Sequence, residues 1–70
     1  MEEELRKIGL TPYETKIYQV LLSYGRLGAK EIAERSKVPP TAVYPNLKSL
    51  ISKNLIQKFQ DPLFLKNAGQ

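Results

Sequence analysis

Two helical stretches separated by a short break limit the folds open to this chain more than any other feature. Ala29–Ser36 has the pattern of a helix with Ile32 and Ala33 facing inward. Ser36-Lys37-Val38-Pro39 interrupts it, and a further helix runs from about Pro40 or Thr41 to Lys53. A helix pair joined by about four residues, with one aliphatic (Val38) in the connector, has helix-turn-helix spacing. A small helical hairpin with no nucleic-acid role shares that spacing, so the flanking sequence has to decide.

Ahead of the pair, Thr11-Pro12-Tyr13-Glu14 marks a helix start: Thr11 as N-cap, Pro12 in the first helical position, Glu14 completing a capping box. Tyr13, Ile17, Val20, Leu21 and Tyr24 then fall on one apolar stripe, which predicts core positions for Tyr13 and Tyr24. Gly25 supplies a left-handed stop. Tyr18 and Leu22 form a second apolar pair, expected to pack under the N-terminal segment rather than against a second copy. Glu2–Ile8 is expected to be a helical lead-in, its three glutamates favoured by the positive helix N-terminus. The connector Arg26–Gly28 offers Leu27 for a brief β-bridge.

Behind the pair, Asn54 occupies a left-handed stop position, and Leu55–Phe59 and Leu63–Lys66 have strand character about a turn at Gln60-Asp61-Pro62. An isolated hairpin is unstable, so Ile56, Phe64 or their neighbours must pack back on the helices. The predicted fold is mainly α (α+β): a winged helix-turn-helix of three core helices followed by a two-stranded β-wing. Residues 1–70 are expected to form one domain, with 1–9 as lead-in and 67–70 as a frayed tail.

Composition narrows the chemistry. The 70 residues contain no Cys and no His, which excludes disulfides, zinc fingers, thiol nucleophiles and imidazole bases together. No Gly-rich phosphate loop is present, and Glu2, Glu3 and Glu4 are adjacent helix residues that point in different directions. The chain is therefore expected not to be an enzyme and to need no cofactor or metal. No apolar run approaches the ~18 residues that span a bilayer. The formal charge of +4 is unevenly spread: residues 1–34 carry five basic and six acidic groups, whereas residues 35–70 carry six basic groups against Asp61 alone. An acidic front and a basic back imply that the second half faces a polyanion.

The third helix sorts its residues sharply. Val43, Tyr44, Leu47, Leu50 and Ile51 share one stripe; Thr41, Ala42, Pro45, Lys48, Ser49 and Ser52 share the opposite face. That outer face is small and polar, with one cation and no acid, and so fits a major groove without repulsion. Tyr44, at the stripe edge and four residues before Lys48, is the aromatic candidate for a phosphate or sugar contact. Pro45 inside this helix predicts either a late start, with Thr41 as N-cap, or a kink near Val43–Tyr44.

The runs Ile8–Tyr18, Lys30–Pro39 and Val43–Leu50, in that order, resemble the N-terminal domain of TrmB-type transcriptional regulators, a mostly archaeal family often called sugar-specific regulators. The resemblance covers about residues 8 to 66. It implies a dimeric, sequence-specific module for double-stranded DNA, acting in the cytoplasm at the nucleoid. It also implies that Pro40, Thr41 and Ala42 open the recognition helix at the major groove, that Tyr44 matches a family tyrosine, and that the wing is Lys58–Leu63. Where the family carries a basic or polar residue near the helix start, this chain has Pro40 and Ala42, so bidentate arginine readout of guanine is missing there. A small-molecule effector is implied only for longer members that continue into an effector-binding domain.

The resulting expectation assigns phosphates to Lys48 and Lys53, base edges to Thr41, Ala42, Pro45 and Ser49, and the wing contact to Lys58. Lys30 and Lys37 flank the helix pair on the backbone. The rival reading is a winged-helix module that docks onto a protein and does not touch DNA directly.

Overall fold

The structure, a computed structural model, describes residues 9–60 and 63–67. The expected lead-in helix over Glu2–Ile8 and the turn residues Asp61 and Pro62 lie outside the described residues. Among the described residues, three helices, α1 (Pro12–Tyr24), α2 (Ala29–Ser36) and α3 (Pro40–Ser52), are joined by three strands: β1 (Arg26–Leu27), β2 (Ile56–Gln60) and β3 (Leu63–Asn67).

Helix α1 begins as its capping residues dictate. The Glu14 N–H donates to the Thr11 hydroxyl at 3.2 Å, and the Thr11 N–H donates to the Glu14 carboxylate at 2.9 Å. Glu14, Thr15, Ile17 and Leu21 are buried along this helix, while Tyr13 and Tyr24 are 40% and 54% exposed. The expected core positions of the two tyrosines are thus incorrect. The packed face is rotated by roughly 70° at 3.6 residues per turn, because Glu14 finds partners on α3 and takes an interior position. Tyr24 instead lies against the Arg35 guanidinium, 4.3 Å from ring centre to Cζ. Tyr18 packs on the core and Leu22 is half-buried.

Gly25 ends α1 with its N–H on the Leu21 carbonyl at 2.7 Å. Its φ of 83° is positive as expected, but ψ of −57° lies outside the left-handed helical basin.

The break between α2 and α3 is built by Ser36, Lys37 and Val38. The Ser36 hydroxyl donates to the Ile32 carbonyl at 2.6 Å and accepts from the Val38 N–H at 3.3 Å. Lys37 adopts the left-handed conformation, and Val38 is buried between the helices. Helix α3 starts at Pro40 with Pro39 as N-cap and no side-chain capping bond, so Thr41 is not the cap. Two successive prolines with φ near −65° preset the helical entry without one. The first turn is tight: the Ala42 N–H donates to the Pro39 carbonyl, three residues back, at 2.8 Å. Pro45 is therefore inside the helix, where it withholds the bond the Thr41 carbonyl would accept. Helix α3 ends in a Schellman pattern about Asn54 (φ 60°), with Asn54 N–H to Ile51 O at 2.9 Å and Leu55 N–H to Leu50 O at 3.1 Å.

The sheet is antiparallel with order β1-β3-β2. The expected bridge at Leu27 is present as Leu27↔Leu65, so a third strand ties the hairpin to the helices. Asn67, expected in the frayed tail, pairs with Ile56. Leu27, Ile56 and Leu65 point into a core completed by Ile17, Leu21, Ile32, Val38, Val43, Leu47 and Leu50. On the opposite face, Phe59 lies beneath Arg26 (4.7 Å) and Lys66 (5.1 Å). Three helices followed by a small antiparallel sheet make this a winged helix-turn-helix fold.

Candidate nucleic-acid interface

Helix α3 is anchored by Val43, Leu47 and Leu50, and this fixes which residues face outward. Thr41, Pro45, Lys48 and Ser52 are exposed along its outer line, and Tyr44 projects beside them, 62% exposed. Among these outer residues there is no acid. Ala42 is half-buried against the core.

Tyr44 lies between two neighbouring recesses. One brings it together with Lys48 of the same helix and Lys58 of β2. The other brings it together with Lys30 of α2 and Pro40, with Glu34 also at its edge. Lys30, Pro40, Tyr44, Lys48 and Lys58, five of the expected contact residues, thus line one continuous strip from α2 across α3 to the wing strand. Lys37 stands apart, in a cleft of α1 and α2 with Lys16, Tyr24 and Arg35.

Two of the expected contacts are committed elsewhere. The Ser49 hydroxyl donates to the Glu14 carboxylate at 2.6 Å, and the Lys53 ammonium reaches the same carboxylate at 3.0 and 3.2 Å. Lys53 also donates to the Gly9 carbonyl at 3.4 Å. Ser49 and Lys53 therefore face α1. Burial of Glu14 would raise its carboxyl, but hydrogen bonds from Ser49, the Thr11 backbone and Lys53 outweigh it and hold the group down at about 2. An interior carboxylate held charged in this way joins the start of α1 to the end of α3.

The sequence reading missed this link. A wheel drawn for α3 alone assigns Ser49 to the outer face, and only the i, i+4 spacing of Ser49 and Lys53 on one flank marks them as a pair. Asn46, on the same flank, donates its amide to the Ala42 carbonyl at 2.6 Å.

Among the described residues, no group of three or more His, Cys, Asp or Glu gathers in a way that could hold a metal. No described helix is long and apolar enough to cross a membrane.

The chain is 37% identical over 54 residues to the HTH-type sugar sensing transcriptional regulator TrmBL1 of Pyrococcus furiosus, a match covering 77% of this chain and 16% of that protein. It is 40% identical over 58 residues to the HTH-type transcriptional repressor MdtR of Bacillus subtilis, covering 83% of this chain and 37% of that protein. The chain thus spans well under half the length of either relative. The family model described as sugar-specific transcriptional regulator TrmB matches residues 5–66, and the chain belongs to that family of helix-turn-helix transcriptional regulators.

Proposed function

We propose that residues 1–70 act as a single DNA-binding unit of a transcriptional regulator, with α3 in the major groove of double-stranded DNA and β2 and β3 on the flanking backbone. The observation that carries this reading is the strip of Lys30, Tyr44, Lys48 and Lys58, which joins α2, α3 and the wing strand beside an outer α3 line without acids. In this reading Lys30, Lys48 and Lys58 neutralise phosphates, with Lys37 at the periphery. Tyr44 packs on the sugar–phosphate chain, and Thr41 and Pro45 approach base edges. Ser49 and Lys53 hold α3 in place and leave the contact set. Two copies on a two-fold operator, in the cytoplasm at the nucleoid, complete the proposal, and no catalytic step forms part of it.

A duplex-binding salt series tests it. Three or four phosphate contacts per domain give a slope of log K against log[salt] of about −3 to −4. Charge reversal at Lys48 and Lys58 together should abolish binding at low salt. A flat salt response, or binding that survives the double reversal, overturns the reading and favours a protein-docking role.

A further inference from the structure

The recess between α3 and the wing has a character that phosphate binding does not use. It encloses about 130 Å³. Its floor is apolar: Leu47 and Leu65 are buried, Ala29 closes one side, and half-buried Ile51 closes another. Its rim is cationic: Lys48 and Lys58 are exposed beside the Tyr44 phenol, and no carboxylate is among the described lining residues. A DNA phosphate answers the two ammonium groups but leaves the floor bare.

Size and polarity together select a ligand class. Apolar cavities of about 150 Å³ take up a benzene-sized molecule. A neutral ring would cover Leu47 and Leu65 and leave the rim without a counter-charge. An inorganic anion would do the reverse. Only a molecule with both parts gains from removing apolar surface from water and from a charge-assisted hydrogen bond at the rim.

We infer that this recess is a binding site for a small aromatic carboxylate, its ring on Leu47 and Leu65 and its carboxylate between Lys48 and Lys58. The Tyr44 hydroxyl is a third donor at the same rim. Occupation places a fixed negative charge on the line that the duplex backbone would follow. The carboxylate and the duplex then compete for the same two lysines. The site stands on its own geometry; the competition rests on the DNA-binding reading.

The test titrates the isotope-labelled 70-residue chain with sodium benzoate, without DNA and at constant ionic strength, following backbone amides by NMR. Benzyl alcohol supplies the ring without the charge, and acetate the charge without the ring. The expected result is saturable shifts at Tyr44, Leu47, Lys48, Lys58 and Leu65 with benzoate at low millimolar concentration, and at least tenfold weaker responses to both controls. Lys58→Gln, a change at an exposed side chain on the rim, should weaken benzoate about tenfold and leave the free spectrum unchanged beyond its neighbours. Equal responses to benzoate and benzyl alcohol overturn the site. So do shifts that rise linearly, or that centre on the Lys16, Arg35 and Lys37 cleft. In a second arm, benzoate should release bound duplex at concentrations where acetate does not. Saturable benzoate shifts in a chain that binds no duplex sustain the site and overturn the DNA-binding reading instead.

Discussion

Glu14 is the residue on which the geometry turns. It is 1% exposed and accepts from Thr11, Ser49 and Lys53 at once. Its pKa falls from an ordinary 4.5 to about 2, so the folded state binds this proton less readily than the unfolded chain does. The resulting stabilisation is complete above about pH 4.5 and is lost as pH falls toward 2. At roughly 1.4 kcal/mol per unit it amounts to something on the order of 3 kcal/mol. Urea unfolding at pH 7, 4 and 3 should show this acid loss in the parent chain. Glu14→Gln should start about 2–3 kcal/mol less stable at pH 7, as loss of a buried charge-assisted network does, with a much shallower decline below pH 4.5. A parallel decline in both proteins would show that other carboxyls carry the acid response.

In the proposed docking of α3, base preference is also decided residue by residue. Asn46, the amide on α3, is half-buried and gives one of its two N–H groups to the Ala42 carbonyl, and no arginine lies on this helix. Thr41 and Pro45 are exposed on the outer line of α3, and their methyl and methylene groups are of the kind that packs on a thymine methyl. Replacing thymine by uracil in a bound duplex removes only that methyl. Affinity should drop about three- to tenfold at the positions α3 covers and stay constant elsewhere, as read by competition binding.

At the scale of elements, the least economical feature is Pro45 inside α3. Pro45→Ala restores a donor to the Thr41 carbonyl and removes a ring from the turn, a change worth up to about 3 kcal/mol in a helix interior. The melting temperature should rise by about 5–10 °C, with each kcal/mol worth several degrees in a domain of this size. An unchanged or lower value would mean that α3 is already shaped around the ring. The elements themselves were largely legible from sequence, because each boundary rests on a few adjacent residues. Thr11-Pro12-Tyr13-Glu14, Gly25, Val38 and Asn54 each act within about one turn of chain, and the structure places stops and starts there. Thr41 misled because a hydroxyl suggested a cap where the fixed φ of Pro39 and Pro40 already suffices. The exposure of Tyr13 and Tyr24 and the Glu14 contacts of Ser49 and Lys53 were not legible, for a different reason. Their orientation follows from one contact between helices: Glu14 turns inward on α1 to meet Ser49 and Lys53, and the tyrosines of its own helix turn outward.

For the whole molecule, charge asymmetry acquires a sharper form. The basic second half includes Lys53, yet that cation is neutralised by the front half through Glu14. It should therefore release no counterion when duplex binds. Removing the carboxylate frees it: at a temperature where Glu14→Gln remains folded, the salt slope should steepen by about 0.9, one additional phosphate contact. An unchanged slope would leave Lys53 directed at Gly9 in both proteins. The candidate strip was legible only in part, since sequence supplies the lysines but not the strand pairing that carries Lys58 alongside Tyr44 and Lys48.

The carboxylate of Glu14 and its partners lie 35 and 39 residues apart in the chain. During synthesis from the N-terminus, α1 is complete long before Ser49 and Lys53 exist. Until they arrive, the only place where this carboxylate costs nothing is water, so α1 cannot be sealed prematurely on its polar end. When α3 docks, sliding it by one turn along α1 would leave a charge in the interior with neither partner opposite. Apolar side chains alone tolerate such a slip far better than an unpaired carboxylate does. The buried glutamate thus serves as a proofreading mark for helix register, one that is erased in acid.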